Sequence, residues 1–338
     1  LAYESNEASV LTNISADHLD LQGLHTLPEL AEVKSVICRV TRPSGTVVLN
    51  ADDALLVPIA RRVRAAVTFF SLNPRSARIR SHVARGGNAF VLDDGWIVEL
   101  AGSKRRRIVA TAELPATLGG LAKHNVANAL AAAAGARAIG LSYRAIADGL
   151  RGFRNTADLM PGRLNLYRKD DRLVVVDYAH NEAGLAALFD TIEGLVGKRD
   201  KRRATVSVII GAAGDRPDDA MRAVGQLAAR RADDVAIKED LPFLRGRTRA
   251  SAIGELREGI RAGGTNPTSV PVYELELDGL VGELTTPGRL AATDDGTPRV
   301  VMLMCHAERD AVASFLADEG FVEVHDIRAL EGFRPKSG

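Results

Sequence analysis

Short apolar runs and amphipathic stretches alternate along the 338-residue chain, and they predict its elements. Residues 8–14 (ASVLTNI) read as a buried strand, followed by a polar turn from Ser15 to Gly23. The spacing predicts a helix over 26–40, with Thr26 and Glu29 placed as a capping box. A strand at 46–50, a turn at 50–53, a helix at 54–66 and a strand at 66–71 follow. From 77 to 112 short alternating runs are broken by Gly86, Gly87, Asp93, Asp94 and Gly95, which predicts a small antiparallel meander. Helices are expected at 125–141 and 143–151. The segment 153–163 (FRNTADLMPGR) has little periodicity and carries Asn155, Pro161 and Gly162. A domain boundary is placed there, giving expected domains 1–157 and 158–338.

Beyond it the pattern becomes strand, helix, strand, helix. Strands are expected at 172–176, 205–210, 234–238 and 299–304, and helices at 182–195, 217–231, 249–262 and 306–318. Continuous apolar strands alternating with helices mean a mostly parallel, doubly wound α/β sheet covered on both faces. Ligands of such sheets sit beyond the carboxyl ends of the strands.

Composition removes several classes of function. Forty-four Lys and Arg against 43 Asp and Glu leave a net charge of +1, so no overall basic field points to nucleic acid. Apolar residues at 46% and charged residues at 26% exclude disorder of the bulk chain. Two cysteines, Cys38 and Cys305, exclude a disulfide framework and a multi-cysteine zinc site. They fit a reducing compartment, and a cytoplasmic location is the expectation. No apolar run reaches the roughly 18 residues of a membrane span. Residue 1 is Leu and a strand follows almost at once, so the chain is expected to be a piece of a longer protein.

Several residues are candidates for chemistry. At 100° per residue Lys34 falls in an apolar stripe with Leu27, Leu30, Ala31, Ile37 and Cys38. It either snorkels from the core or is held for chemistry. His18 lies between Asp17 and Asp20 on a loop after a strand, which suits a hard metal or a phosphate-bearing substrate, although helix caps look similar. Asn125 and Asn128 share one helix face and suit a purine edge; the plainer alternative is an Asn125 N-cap. Asp177, Tyr178, His180 and Asn181 follow one predicted parallel strand, and Gly214, Asp215 and Arg216 follow the next. Arg245 and Arg247, beside Glu239 and Asp240, either grip a carboxylate or belong to a solvated loop. The run Lys104–Arg107 reads as a solvated hairpin edge. Cys305 and His306 lack a third group to orient the imidazole, which argues against a Cys–His nucleophile.

Taken together, TNISADHLD (12–20), ELAEVK (29–34), VLNADD (48–53), KHNVANALAA (123–132), PGR (161–163), VVVDYAHN (174–181) and GAAGDR (211–216) resemble the Mur ligase superfamily in order and spacing. PGRLNL and IKEDLPFLRGR (237–247) look like its cyanophycin synthetase branch. The resemblance runs over roughly residues 8–262. It implies the second half of a central ATP-binding domain followed by a C-terminal α/β domain. It also implies an ATP-dependent amide ligase: a carboxylate is phosphorylated to an acyl phosphate, which an amine then attacks. The cofactors implied are ATP and two Mg2+ ions. The partners implied are an amino acid and a carboxylate-bearing acceptor, with neither nucleic acid nor membrane; a homo-oligomer is left open. In the cyanophycin branch the amine would be arginine, joined to an aspartate side chain, with Asp215, Glu239 and Asp240 as candidates for a guanidinium pocket.

Residue by residue, the resemblance implies that His18 ligates magnesium and that Lys34 is the position carbamylated in many members, its carbamate helping to hold a second magnesium. Asn125 and Asn128 would lie by the adenine, Arg163 by the ATP phosphates and Asp177 by the ribose. Tyr178, His180 and Asn181 would line the cleft, and Gly214, Asp215 and Arg216 the amine side. One departure stands out. The 338 residues contain no G-x-x-x-x-G-K-[ST] phosphate loop; Gly197-Lys198 lacks both the upstream glycine and the following Ser or Thr. The family's magnesium-binding acid ahead of the TN motif is likewise missing unless Glu4 or Glu7 stands in. Two alternatives follow: a Mur-like nucleotide- or partner-binding module without catalysis, and a peptidoglycan- or folate-type amino-acid ligase.

Overall fold

Alternation of inward and outward side chains organises the first half of the chain around one six-stranded sheet, with its strands in chain order. Strands β1 (Asn6–Leu11), β2 (Thr41–Asn50), β3 (Ala66–Ser71) and β4 (Asn88–Asp93) are parallel, and β5 (Trp96–Ala101) and β6 (Lys104–Ala110) continue the sheet antiparallel. Val47 and Leu49 of β2 point into a core shared with α1 (Leu27–Lys34), α2 (Val36–Arg39) and α3 (Ala77–Ala84). Val48 between them points the other way, to α4 (Lys123–Ala138) and α5 (Tyr143–Gly152). The computed structural model describes residues 4–15, 23–198, 204–289 and 296–334.

Several expected elements are corrected. The helix expected over 26–40 starts on its Thr26–Glu29 capping box but breaks at Ser35, whose hydroxyl donates to the Glu32 carbonyl (2.7 Å). In place of a helix over 54–66 there is only a 3-10 turn at Val57–Arg61. Pro58 has no N–H to give and its ring obstructs the preceding turn. The stretch expected to open a meander at 77 is instead α3, with the Ser76 hydroxyl accepting from the Ile79 amide (3.2 Å). The meander proper begins at Asn88.

The second half builds a seven-stranded sheet in the order β11-β10-β9-β12-β8-β7-β13. Its parallel centre is β8 (Arg172–Asp177), β9 (Thr205–Ile210), β10 (Asp234–Lys238), β11 (Val272–Tyr273) and β12 (Arg299–Met304). Strands β7 (Asn165–Lys169) and β13 (Val322–Glu323) form an antiparallel edge. The helices are α6 (Glu182–Val196), α7 (Asp218–Arg231), α8 (Arg249–Ala262), α9 (Glu276–Thr285) and α10 (Arg309–Asp318). Strands β7, β11 and β13 and helix α9 are not anticipated from periodicity. Strands β11 and β13 are two-residue strands at the two ends of the sheet, β7 is a five-residue strand paired between β8 and β13, and α9 is interrupted by Gly279 and Gly282, so neither period is sustained.

The chain divides into two compact units between Phe153 and Arg154, whereas the expected joint lies at 157/158. Residues 154–157 are tied to the second unit: the Ala157 amide donates to Glu323 (2.7 Å) and the Asn155 carbonyl accepts from Asn165 (2.9 Å). Within that unit β12 lies between β9 and β8. The connection leaving β8 therefore runs one way along the sheet and that leaving β12 the other. Such a switch point opens a crevice at the carboxyl ends of the two strands.

Candidate active site

In the first unit Lys34 is the last residue of α1 and half-buried. Among the described residues its ammonium has neither an ion pair nor a hydrogen bond. His18 lies outside the described residues. Helix α4 begins at Lys123, so Asn125 is inside the first turn rather than capping it. Its Nδ2 donates to the Ala116 carbonyl (2.7 Å), and its Oδ1 accepts from Asn128 Nδ2 (3.2 Å). Asn128 is exposed, and the two amides brace each other. His124 beside them has a buried Nδ1 without a partner among the described residues, and burial pushes its pKa below the ordinary imidazole value.

In the second unit the carboxyl ends of β8 and β12 carry the densest chemistry. The Asp177 carboxylate accepts from the backbone amides of Leu164 and Ala179 (both 2.8 Å). Burial pushes its pKa up, opposed by those amides and by the charges of Arg163 and His306. The Tyr178 amide donates to the Gly162 carbonyl (2.6 Å), which seats the PGR turn against the strand end. The Tyr178 ring then meets two guanidiniums, Arg163 at 4.7 Å and Arg309 at 5.4 Å from the ring centroid. Among the described residues neither arginine has a carboxylate within ion-pair reach. His180 packs 5.4 Å from Tyr178, its Nδ1 on the Tyr178 carbonyl (3.0 Å). Asn181 is the N-cap of α6, with Oδ1 accepting from the Gly184 amide (2.8 Å).

The loops after β9 and β10 interlock. A Cβ on Gly214 would stand 1.9 Å from the Leu244 carbonyl oxygen, so only glycine fits. Asp215 pairs with Arg245, while its buried Oδ1 lacks a hydrogen-bond partner among the described residues. Arg247 donates to the carbonyls of Gly214 (2.8 Å) and Arg216 (3.1 Å), to Asp218 (2.7 Å) and to Ser251 (3.2 Å). Its donors are nearly exhausted, so it latches the loops together and has no bidentate fork left for a substrate carboxylate. The three acids considered for a guanidinium pocket are engaged as well: Asp215 by Arg245, Glu239 by Arg249 and Asp240 by Lys238.

Two groups lie outside the sequence-based reading. Arg309 is one, and its only advance signal is an arginine just beyond an apolar strand. The other is the joining of Asp240 and His306, which the sequence offers only separately, with Lys238 and Glu276 in one buried cluster, each at most 6% exposed. The Lys238 ammonium donates to Asp240, to Glu276 (2.7 Å) and toward His306 Nδ1 (3.1 Å). Burial pushes the Glu276 carboxyl up, but Lys238, the Glu308 amide and the Cys305 thiol outweigh it and bring the pKa down to about 2. Asp240 is also held below its ordinary value: burial raises it, and His306 and Lys238 overcompensate. Cys305 donates to Glu276 (3.0 Å), and burial together with that carboxylate pushes the thiol pKa far up, which rules out a nucleophilic thiolate.

Comparison with known proteins agrees with this architecture. Residues 4–136 match the Mur ligase middle domain, and residues 162–274 match the Mur ligase glutamate ligase domain. Cyanophycin synthetase of Synechocystis sp. is 38% identical over 278 residues, covering 82% of this chain and 30% of that protein. The UDP-N-acetylmuramoyl-L-alanyl-D-glutamate–2,6-diaminopimelate ligase of Alkalilimnicola ehrlichii is 32% identical over 235 residues, 69% of this chain and 43% of that protein. The chain thus spans about 30% of the length of the cyanophycin synthetases it matches. Among solved structures, a bifunctional folylpolyglutamate synthase/dihydrofolate synthase with Mn, AMPPNP and L-glutamate bound superposes with a TM-score of 0.61 at 17% identity, covering 93% of this chain and 62% of that one. MurF from Acinetobacter baumannii gives 0.59 at 19% identity, with 92% and 60% covered. Through both family domains and relatives of either kind, the chain belongs to the Mur ligase superfamily.

Proposed function

We propose that this chain contributes to an ATP-dependent amide ligase of the cyanophycin synthetase kind, in which an amino acid is joined to a carboxylate through an acyl phosphate. The observation that carries the reading is the pair of guanidiniums, Arg163 and Arg309, stacked on Tyr178 without carboxylate partners among the described residues. A transferring phosphoryl group needs such cationic donors. In the first step a carboxylate oxygen bonds to the terminal phosphorus of ATP and ADP leaves. In the second the amine nitrogen bonds to the acyl carbon, phosphate leaves, and the nitrogen sheds a proton.

On this reading Asn125 and Asn128 face the adenine, and Arg163 the phosphates. Asp177 bonds backbone amides with both oxygens, so it acts on the nucleotide chiefly by fixing Tyr178 and the PGR turn. His180, Asn181, Gly214, Asp215, Arg216 and Arg245 form the amine side, and Arg247 shapes it from behind. Half-buried Lys34, an ammonium without a partner among the described residues, fits conversion to a carbamate that would help hold a second magnesium beside the one assigned to His18. Bound magnesium would neutralise charge on the phosphoryl oxygens.

The test is stoichiometry, measured on the polypeptide as its cell produces it. With Mg-ATP, an amino acid and a carboxylate acceptor, ADP and phosphate should appear in equal amounts with the amide, and Lys34→Ala or Arg163→Ala should abolish turnover. Tight Mg-ATP binding with no product for any amine would instead establish a binding module. Full turnover in either variant would refute the site.

A further inference from the structure

We propose that His306, seated on the Lys238–Asp240–Glu276 cluster, is the positioning residue of the loop that carries Tyr178, His180 and Asn181. This rests on the proposed function only in naming what the loop serves; the holding contact stands on geometry alone. His306 Nε2 lies 2.8 Å from the Ala179 carbonyl oxygen, across 127 positions of sequence. A carbonyl only accepts, so Nε2 carries a proton. The other nitrogen, Nδ1, faces the Asp240 oxygens at 3.0 and 3.1 Å and the Lys238 ammonium at 3.1 Å. Whether Nδ1 accepts from Lys238 or donates to Asp240, the proton on Nε2 stays where it is.

The imidazole is itself immobilised from below. Glu276, at the start of α9, accepts the backbone amides of His306 (2.7 Å), Ala307 (3.0 Å) and Glu308 (2.8 Å) together with the Cys305 thiol. It thereby pulls the end of β12 onto α9. Lys238 reaches the cluster only because Gly211, at the end of β9, has no Cβ; one there would stand 2.5 Å from Lys238 Cε. Asp240, Glu276 and His306 bring their ligand atoms within 4.8 Å of one another, a spacing that would suit a cation, but the Lys238 ammonium already fills that role.

The consequence is a residue, Ala179, held through both of its backbone polar groups. The Ala179 amide is held by Asp177 and its carbonyl by His306. The flanking Tyr178 ring rests edge-on against His306, with centroids 5.2 Å apart and planes at 67°, and Tyr178 in turn carries Arg163 and Arg309. Three strand ends, β9, β10 and β12, thus fix the loop at the end of β8.

The experiment reads the loop without any catalytic assay, so its failure is distinct from failure of the proposed reaction. In the wild-type protein labelled with 15N-histidine, His306 Nε2 should show the shift and one-bond coupling of a protonated nitrogen. A bare Nε2 overturns the proposal. In His306→Leu, amide exchange at Ala179 and Tyr178 should accelerate by about tenfold or more, as expected for one buried hydrogen bond, while Val174 and Val175 in mid-strand keep their protection. His306→Gln retains an N–H at nearly the same reach and should restore most of the protection. Unchanged exchange in His306→Leu, or acceleration spread evenly through β8 and β12, assigns His306 to the core alone and refutes the positioning role. If His306→Leu does not fold, the wild-type nitrogen spectrum still decides.

Discussion

Replacing Lys238 by Met tests how the buried cluster is held. The Lys238 side chain is 0% exposed, and its partners Asp240 and Glu276 are 1% and 3% exposed. Met keeps most of the stem that passes Gly211 but removes the only positive charge hydrogen-bonded to both acids. Breaking a buried pair from one side costs about 3–5 kcal/mol, because it strands the other charge. The pKa of Glu276 gives an independent scale: a fall from 4.5 to about 2 corresponds to about 3 kcal/mol of linkage. Because this carboxyl is depressed in the fold, its contribution is fully present above the ordinary carboxylate pKa and is lost as the pH falls toward about 2. In Lys238→Met the balance moves toward the neutral acids. Burial is then opposed only by His306 at Asp240 and by the backbone amides and the Cys305 thiol at Glu276, so both pKa values rise, and protonation relieves the penalty on mild acidification. Urea unfolding followed by circular dichroism should show the variant less stable by about 3–5 kcal/mol near pH 7, with the gap shrinking by about 2 kcal/mol or more near pH 4. A gap of the same size at both pH values would mean that Lys238 acts through packing, and the electrostatic account would fail.

Two further predictions concern other groups. Arg309→Ala should weaken Mg-ATP or pyrophosphate binding about as much as Arg163→Ala, by roughly tenfold each if one charge-assisted contact is lost, as titration calorimetry would show. Unaltered affinity in Arg309→Ala would leave Tyr178 stacking as its sole role. Cys38 and Cys305 are both 0% exposed and both thiols are pushed up by burial, so neither should react with a thiol-specific disulfide reagent in native protein. Rapid labelling of Cys305 would show that the Glu276 hydrogen bond is not maintained.

Much of this was legible in the sequence because local and global signals agree. The Thr26–Glu29 box, the buried strands at 172–176, 205–210 and 299–304 and the motif loops at their ends each carry their own pattern. What was not legible depends on partners distant along the chain. Lys238 is only the last residue of the strand DVAIK in the sequence, since nothing local announces that Glu276 and His306 will close over it. Arg247 looks available for a carboxylate until the Gly214 and Arg216 carbonyls are brought to it. The expected 54–66 helix does not form for a different reason: Pro58 decides the backbone there, whatever the apolar spacing suggests.

The motif glycines show most plainly how local reading and tertiary structure diverge. Glycines at strand ends suggest room for a phosphate, yet each of these admits a group of the chain itself. Gly211 admits the Lys238 stem, Gly214 the Leu244 carbonyl, and Gly162 the Arg309 side chain, whose Cδ would lie 2.7 Å from a Cβ at that position. Gly162 also has φ +71°, where a side chain costs about 1 kcal/mol. Its role therefore separates into a backbone part and a packing part, and Gly162→Ala displays both. Arg309 is long and flexible enough to swing aside, so the fold should survive with a loss of about 1–2 kcal/mol, while Arg309 leaves the Tyr178 ring. Nucleotide affinity in Gly162→Ala should then fall to that of Arg309→Ala, and the double variant should be no weaker than either single one. Additive losses would show that Gly162 and Arg309 act separately, and the link drawn here between the PGR turn and the start of α10 would be wrong.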